Sequence, residues 1–120
     1  APIEDRLVMH TAVEACCVTG ANLGQPLALL MLNAEAAAKA AQPSGRAELE
    51  ASLSAHLQQV NAALDPHERL ECLVLTTQAW TVDNDLITPT FKVKRNRIEQ
   101  QFAARYEVWT GAGRKVVWME

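Results

Sequence analysis

The unbroken apolar run from Pro26 to Leu32 constrains this chain more than any other feature. It falls far short of the ~18 or more apolar residues a membrane span requires. It also shows no polar alternation that would leave one face in water. A run of this length and character predicts a strand covered on both faces. Val13 to Thr19, rich in Val, Cys and Thr, reads as a second strand, and Gly20-Ala21-Asn22-Leu23-Gly24 as the turn between them. The two segments together predict a β-hairpin.

What covers the strands must come from helices. Leu49, Leu53, Leu57, Val60 and Leu64 recur at three and four residues, the clearest amphipathic helix in the chain, and Asp65-Pro66 closes it. Pro2, Glu4 and Asp5 open a short helix that presents Ile3 and Leu7 on one face and fades near His10. Asn33 caps an alanine-rich helix through Ala34 to Ala41, and Pro43-Ser44-Gly45 is expected to break the chain. Leu70 to Thr76 returns to strand composition, Asp83-Asn84-Asp85 offers a tight turn, and Ile98, Phe102 and Tyr106 support a helix from Asn96 to Tyr106. After Gly111 and Gly113, Val116 to Trp118 reads as a short strand. The pattern predicts one α+β domain over residues 1–120, with a small sheet of about three strands and helices packed against it.

A net charge of −3 gives the molecule no general attraction to polyanions. The basic cluster Lys92, Lys94, Arg95 and Arg97 lacks interleaved stacking aromatics, so no nucleic-acid partner is expected. No transmembrane segment is expected either, and a chain that opens at Ala1 without an initiator Met reads as a piece of a larger protein. Cys16, Cys17 and Cys72 are too few for a disulfide scaffold and read as buried free thiols of a reducing cytoplasm. Adjacent Cys16 and Cys17 would point to opposite faces of a strand. His10, His56 and His67 are scattered without metal-ligand spacing, so no metal site is expected; His56 reads as a boundary residue of the long helix. Glu4 reads as a helix-start carboxylate rather than a ligand.

The densest polar information lies between Trp80 and Arg97. Thr88 and Thr90 flank Pro89, which fixes the backbone, and Lys92 follows two residues after the second threonine. Such a loop can hold one ammonium group at a defined point, suited to a phosphoryl or carboxylate oxygen on which charge develops. On the residues alone, the plainer reading is a solvated basic turn leading into a helix. Trp80 is expected to pack under this loop.

The stretch Trp80-Thr81-Val82, an acidic or amide turn, then Leu86-Ile87-Thr88-Pro89-Thr90-Phe91-Lys92 resembles the C-terminal signature of AMP-forming acyl-CoA synthetases, particularly the long-chain branch. Ala1-Pro2-Ile3-Glu4 is similar to the end of that family's hinge motif. His10-Thr11-Ala12-Val13-Glu14-Ala15 resembles the family's following "His-Pro-Ala-Val" phrase, with Thr11 in place of the usual Pro. Val60-Asn61-Ala62-Ala63-Leu64 with His67-Glu68 also resembles the long-chain branch. The likeness spans about residues 1–106.

The resemblance implies the mobile C-terminal lid of a ligase whose large N-terminal adenylation domain is the partner of this chain. That enzyme would use ATP, Mg²⁺ and CoA to activate a carboxylic, fatty acid as an acyl-adenylate and pass it to CoA, in the cytoplasm or at a membrane periphery. It assigns the catalytic role to Lys92, with Thr88, Thr90 and Lys94 as candidate substrate- or nucleotide-binding residues. The isolated domain would bind no cofactor and be inactive. Phe91 departs from the wider superfamily, which carries Gly before the lysine; a two-residue slip would make Lys94 the active residue. Two other readings stand beside this one: a non-catalytic partner-binding domain, and a ligase whose acceptor is a carrier-protein thiol.

Overall fold

In the computed structural model, which describes residues 2–20 and 22–119, the apolar run becomes strand β2 (Leu27–Leu32), buried at every position. β2 pairs antiparallel with β1 (Val13–Thr19) on one side and parallel with β3 (Leu73–Thr76) on the other. β3 pairs parallel with β4 (Val116–Trp118), the strand read in the tail, giving a four-stranded sheet in the order β1-β2-β3-β4. The sheet is thus slightly wider than the three strands expected.

The period-2 geometry of β2 divides the core. Ala28, Leu30 and Leu32 join Leu49, Leu53, Leu57 and Val60 on one face. Leu27, Leu29 and Met31 join Trp80, Leu86, Ile87, Ile98, Phe102, Tyr106 and Trp109 on the other. Cys16 and Cys17 fall on opposite faces, and both are buried with Cys72 as free thiols. The first face is covered by α1 (Pro2–Leu7), α2 (Ala34–Lys39) and α3 (Pro43–Ala62). The second is covered by the loop after β3 and by α4 (Arg95–Phe102) and α5 (Tyr106–Thr110). Each parallel pair needs a crossover: α2 and α3 lie in the one from β2 to β3, and the loop, α4 and α5 in the one from β3 to β4. No described helix is long and apolar enough to cross a membrane.

Local chemistry explains several element ends. Asn33 caps α2 as expected, its Oδ1 accepting from the Ala36 N–H at 2.9 Å. Asn61, near the end of α3, bonds both backbone groups of Leu70 and so fixes the entry to β3. The expected break at Pro43-Ser44-Gly45 needs correction. Pro43 begins α3, because the first helical position requires no N–H, and the break lies before it. Gly45 sits inside that first turn, buried against the carbonyl of Lys39. The helix expected from Asn96 to Tyr106 begins at Arg95, tightens to a 3-10 turn at Ala103–Arg105 and resumes as α5, while Ile98, Phe102, Tyr106 and Trp109 all stay buried.

At the junction of α1 and β1, the Ala12 N–H donates to His10 Nδ1 at 3.0 Å, which places the neutral proton on Nε2, 2.8 Å from Ser52 Oγ of α3. The His56 ring lies 5.3 Å away, edge-on. Burial first, and His56 second, lower the His10 pKa below its usual value.

Two outcomes follow from this packing. A Cβ on Gly45 would lie 2.0 Å from the Lys39 carbonyl oxygen. Gly45→Ala, which in an ordinary helix interior stabilises by about 0.5–1 kcal/mol, should here destabilise by about 1–3 kcal/mol, as read by chemical denaturation. The folded protein also binds a proton at His10 less readily than the unfolded chain. The contribution from neutral His10 is complete above the unfolded value of about 6.5 and is lost as pH falls through the lowered folded pKa. Unfolding free energies measured from pH 7.5 to 5 should fall less steeply for His10→Asn than for the native sequence.

Candidate functional site

The loop between β3 and α4 is pinned to the core before it reaches the surface. Trp80 is buried, in the same cluster as Leu86 and Ile87, and its backbone N–H points at Met31 Sδ of β2. Asn84 then cross-ties the acidic turn. Its side chain accepts from the Thr81 N–H at 2.8 Å and donates to the Ala79 carbonyl at 2.9 Å, while its own N–H donates to Thr81 Oγ1. Asp85 ends this turn at φ +65°, a left-handed conformation that Asp tolerates better than most residues.

Residues 86–94 form a short hairpin. Ile87 and Val93 face each other in an antiparallel bridge, and the Lys94 N–H donates to the Leu86 carbonyl at 2.9 Å. The tip is a β-turn with Pro89 at its second position, closed by the Phe91 N–H on the Thr88 carbonyl at 2.8 Å. Phe91 follows at φ +63°, so the turn ends in a left-handed residue, as three-residue hairpin loops do. The Thr88 N–H donates to the Lys92 carbonyl, and the Lys92 N–H donates to Thr88 Oγ1 at 3.0 Å, with Thr90 Oγ1 3.1 Å from the same hydroxyl. The two threonines therefore fasten the backbone that carries Lys92.

The two candidate lysines differ in what holds them. Lys94 Nζ is paired with Asp85 Oδ1, and Arg97 Nε reaches Asp85 Oδ2 at 2.8 Å. Lys92 is exposed, and among the described residues no side chain pairs with its ammonium group. Its backbone is fixed and its charge is uncommitted. Arg95 bonds Glu4 Oε2 at 3.0 Å, and the same carboxylate oxygen accepts from the Val18 N–H of β1 at 2.8 Å. Glu4, read from the sequence as a helix-start carboxylate, stands in the first turn of α1 and also joins α1, β1 and the start of α4. Sequence reasoning missed the roles of Asp85 and Arg95, since nothing local marks which cation each carboxylate meets. It did flag position 91 as a departure from Gly, and that is where the backbone is left-handed.

Burial pushes the thiols out of the reactive range. The Cys16 pKa is pushed up to about 12, and those of Cys17 and Cys72 to about 11. Among the described residues, the one group with metal-ligand proximity is Asp65, His67 and Glu68, all exposed, at the 3-10 turn that follows α3.

A left-handed backbone at Phe91 makes a stability prediction. Phe91→Ala and Phe91→Gly both remove the half-exposed ring, but only glycine adopts φ +63° without a Cβ conflict. The glycine variant should therefore be the more stable of the two by about 1 kcal/mol, a difference thermal or chemical denaturation can resolve.

Residues 1–108 match the family described as AMP-binding enzyme C-terminal domain. None of the curated proteins matches the chain. Among solved structures, the adenylation domain of a carboxylate reductase from Mycobacterium chelonae superposes with a TM-score of 0.74 at 22% identity, over 91% of this chain and 17% of that one. The A-PCP didomain of the carboxylic acid reductase from Segniliparus rugosus in complex with AMP gives 0.72 at 19% identity, over 92% of this chain and 15% of that one. The A domain of the same enzyme, in complex with AMP and a co-purified carboxylic acid, gives 0.72 at 19%, over 92% and 17%. The likeness is of fold, and this chain spans under a fifth of the length of these structures. With nine-tenths of its length matched, the chain belongs to the AMP-binding enzyme C-terminal domain family.

Proposed function

We propose that this chain is the C-terminal domain of an adenylate-forming acid–thiol ligase, and that Lys92 acts on the adenylation step. The observation that carries the reading is the contrast between Lys92, whose backbone is fastened by Thr88 and whose ammonium group is free, and Lys94, which is held by Asp85. In the step proposed, a carboxylate oxygen attacks the α-phosphorus of ATP, a P–O bond forms, and pyrophosphate leaves with the electron pair of the broken bond. Two anions must approach each other. A cation delivered on a stiff hairpin lowers that repulsion and follows the charge onto the bridging oxygen. In the second half-reaction a thiolate attacks the acyl carbonyl and AMP departs.

The family likeness of residues 1–108 and the resemblance of the Thr88–Lys92 phrase to long-chain acyl-CoA synthetases support a carboxylic acid, of the fatty class, as substrate and CoA as acceptor. A carrier-protein thiol is the second reading. It is favoured by the similarity to the A-PCP didomain of a carboxylic acid reductase, in which an A domain is joined to a further unit. Mg²⁺ finds no donor cluster around Lys92: of the two carboxylates on the same loop, Asp85 is occupied by two cations and Asp83 is a single exposed group outside the metal-ligand cluster found among the described residues. The metal and most of the nucleotide pocket belong to the large N-terminal domain, the proposed partner of this chain.

The test is Lys92→Ala in the full-length protein. Acid-dependent pyrophosphate exchange should fall by about 10²–10³-fold, near 3–4 kcal/mol of transition-state stabilisation, while conversion of preformed acyl-adenylate to thioester persists. Lys94→Ala should lose far less. Undiminished exchange in the Lys92 variant would leave the non-catalytic, partner-binding reading in place.

A further inference from the structure

The start of α4 is a poor helix start by its own chemistry. Lys94 occupies the cap position with no side-chain bond to the backbone, and Arg95 and Arg97 follow in the first turn, which contains no acidic residue. Cations at a helix N-terminus oppose the macrodipole. What holds this end must be imported, and Asp85 and Glu4 supply the carboxylates.

Asp85 is placed to do more than neutralise. It immediately precedes the first arm of the hairpin, and Lys94 ends the second arm, so their contact closes the hairpin at its base. The other oxygen of the same carboxylate reaches Arg97, in the first turn of α4. Behind Asp85 stands the Asn84 lock and then buried Trp80. The hairpin is therefore tied at its base both to the core and to the helix, through one side chain.

We propose that Asp85 is a positioning residue for Lys92, its carboxylate fixing the hairpin base on α4 so that the ammonium group is presented in one place. The inference rests on the adenylation role proposed for Lys92. Asp85, Lys94 and Arg97 all have side chains roughly half exposed. Exposed ion pairs contribute little to global stability, so the clamp affects geometry rather than folding. Errors of about 1 Å in a catalytic group can cost as much as 100-fold in rate, so a small change in hairpin attitude is enough to be measured.

The experiment is a double-mutant cycle in the full-length protein, read by acid-dependent pyrophosphate exchange. Asp85→Asn should lower the maximal exchange rate roughly 10- to 100-fold, with KM for ATP and acid and the melting temperature unchanged. Asp85→Glu should recover part of the rate. Arg97→Gln, which leaves the Lys94 contact, should give an intermediate loss and serves if Asp85→Asn is poorly folded. In the Lys92→Ala background, Asp85→Asn should cause no further loss, because a residue acting through Lys92 has nothing left to position. Full exchange in both Asp85→Asn and Arg97→Gln, or losses that multiply with that of Lys92→Ala, would overturn the clamp. If Lys92→Ala alone retains full exchange, the underlying adenylation role fails instead, and the two failures are told apart in one experiment.

Discussion

The two-sided burial of β2 is the constraint from which the rest of the molecule follows. A strand with no water-facing side must be covered twice, and each cover is built largely from the segment that carries the chain to the next parallel strand, with α1 added to the first. The α2–α3 crossover seals one face and the β3–β4 crossover seals the other. The second cover is irregular. It consists of a tryptophan, a cross-tied turn, a hairpin and two short helices, and its buried residues are drawn from all of these. The hairpin projects from the sheet's cover because its first arm contributes Leu86 and Ile87 to the core and its second the partly buried Val93, while its tip contributes nothing.

That division of labour makes the tip useful. Pro89, the threonine hydroxyls and the left-handed Phe91 determine the shape of the turn without using side-chain burial. A charge set at such a place is exposed yet rises from a fixed backbone point, a combination that neither a flexible loop nor a buried lysine provides. Lys94, two residues along, illustrates the alternative. The same side chain in the same strand, pointed at Asp85, becomes part of the scaffold.

Much of this was legible in the residues. The strands of the first hairpin, the Asn33 cap and the long apolar stripe of α3 all declare themselves through local patterns. So did the separation of Cys16 from Cys17, since alternation is a property of any strand. The misjudged break at Pro43 came from treating Pro and Gly as punctuation, where Pro43 starts a helix and Gly45 serves a close approach to Lys39. The pairings of Asp85 with Lys94 and Arg97, and of Glu4 with Arg95, were invisible for a different reason. Each joins segments that only the tertiary fold brings together, and charged residues carry no periodic signal of their destination. The hairpin phrase itself was readable, but the state of each lysine was not.

The Glu4 contact has a mechanical consequence. One carboxylate oxygen grips both the far end of the sheet's edge strand, at Val18, and the first residue of α4, while its own helix is α1. Through that one side chain the first helix acts as a stay on the helix that follows the lysine turn.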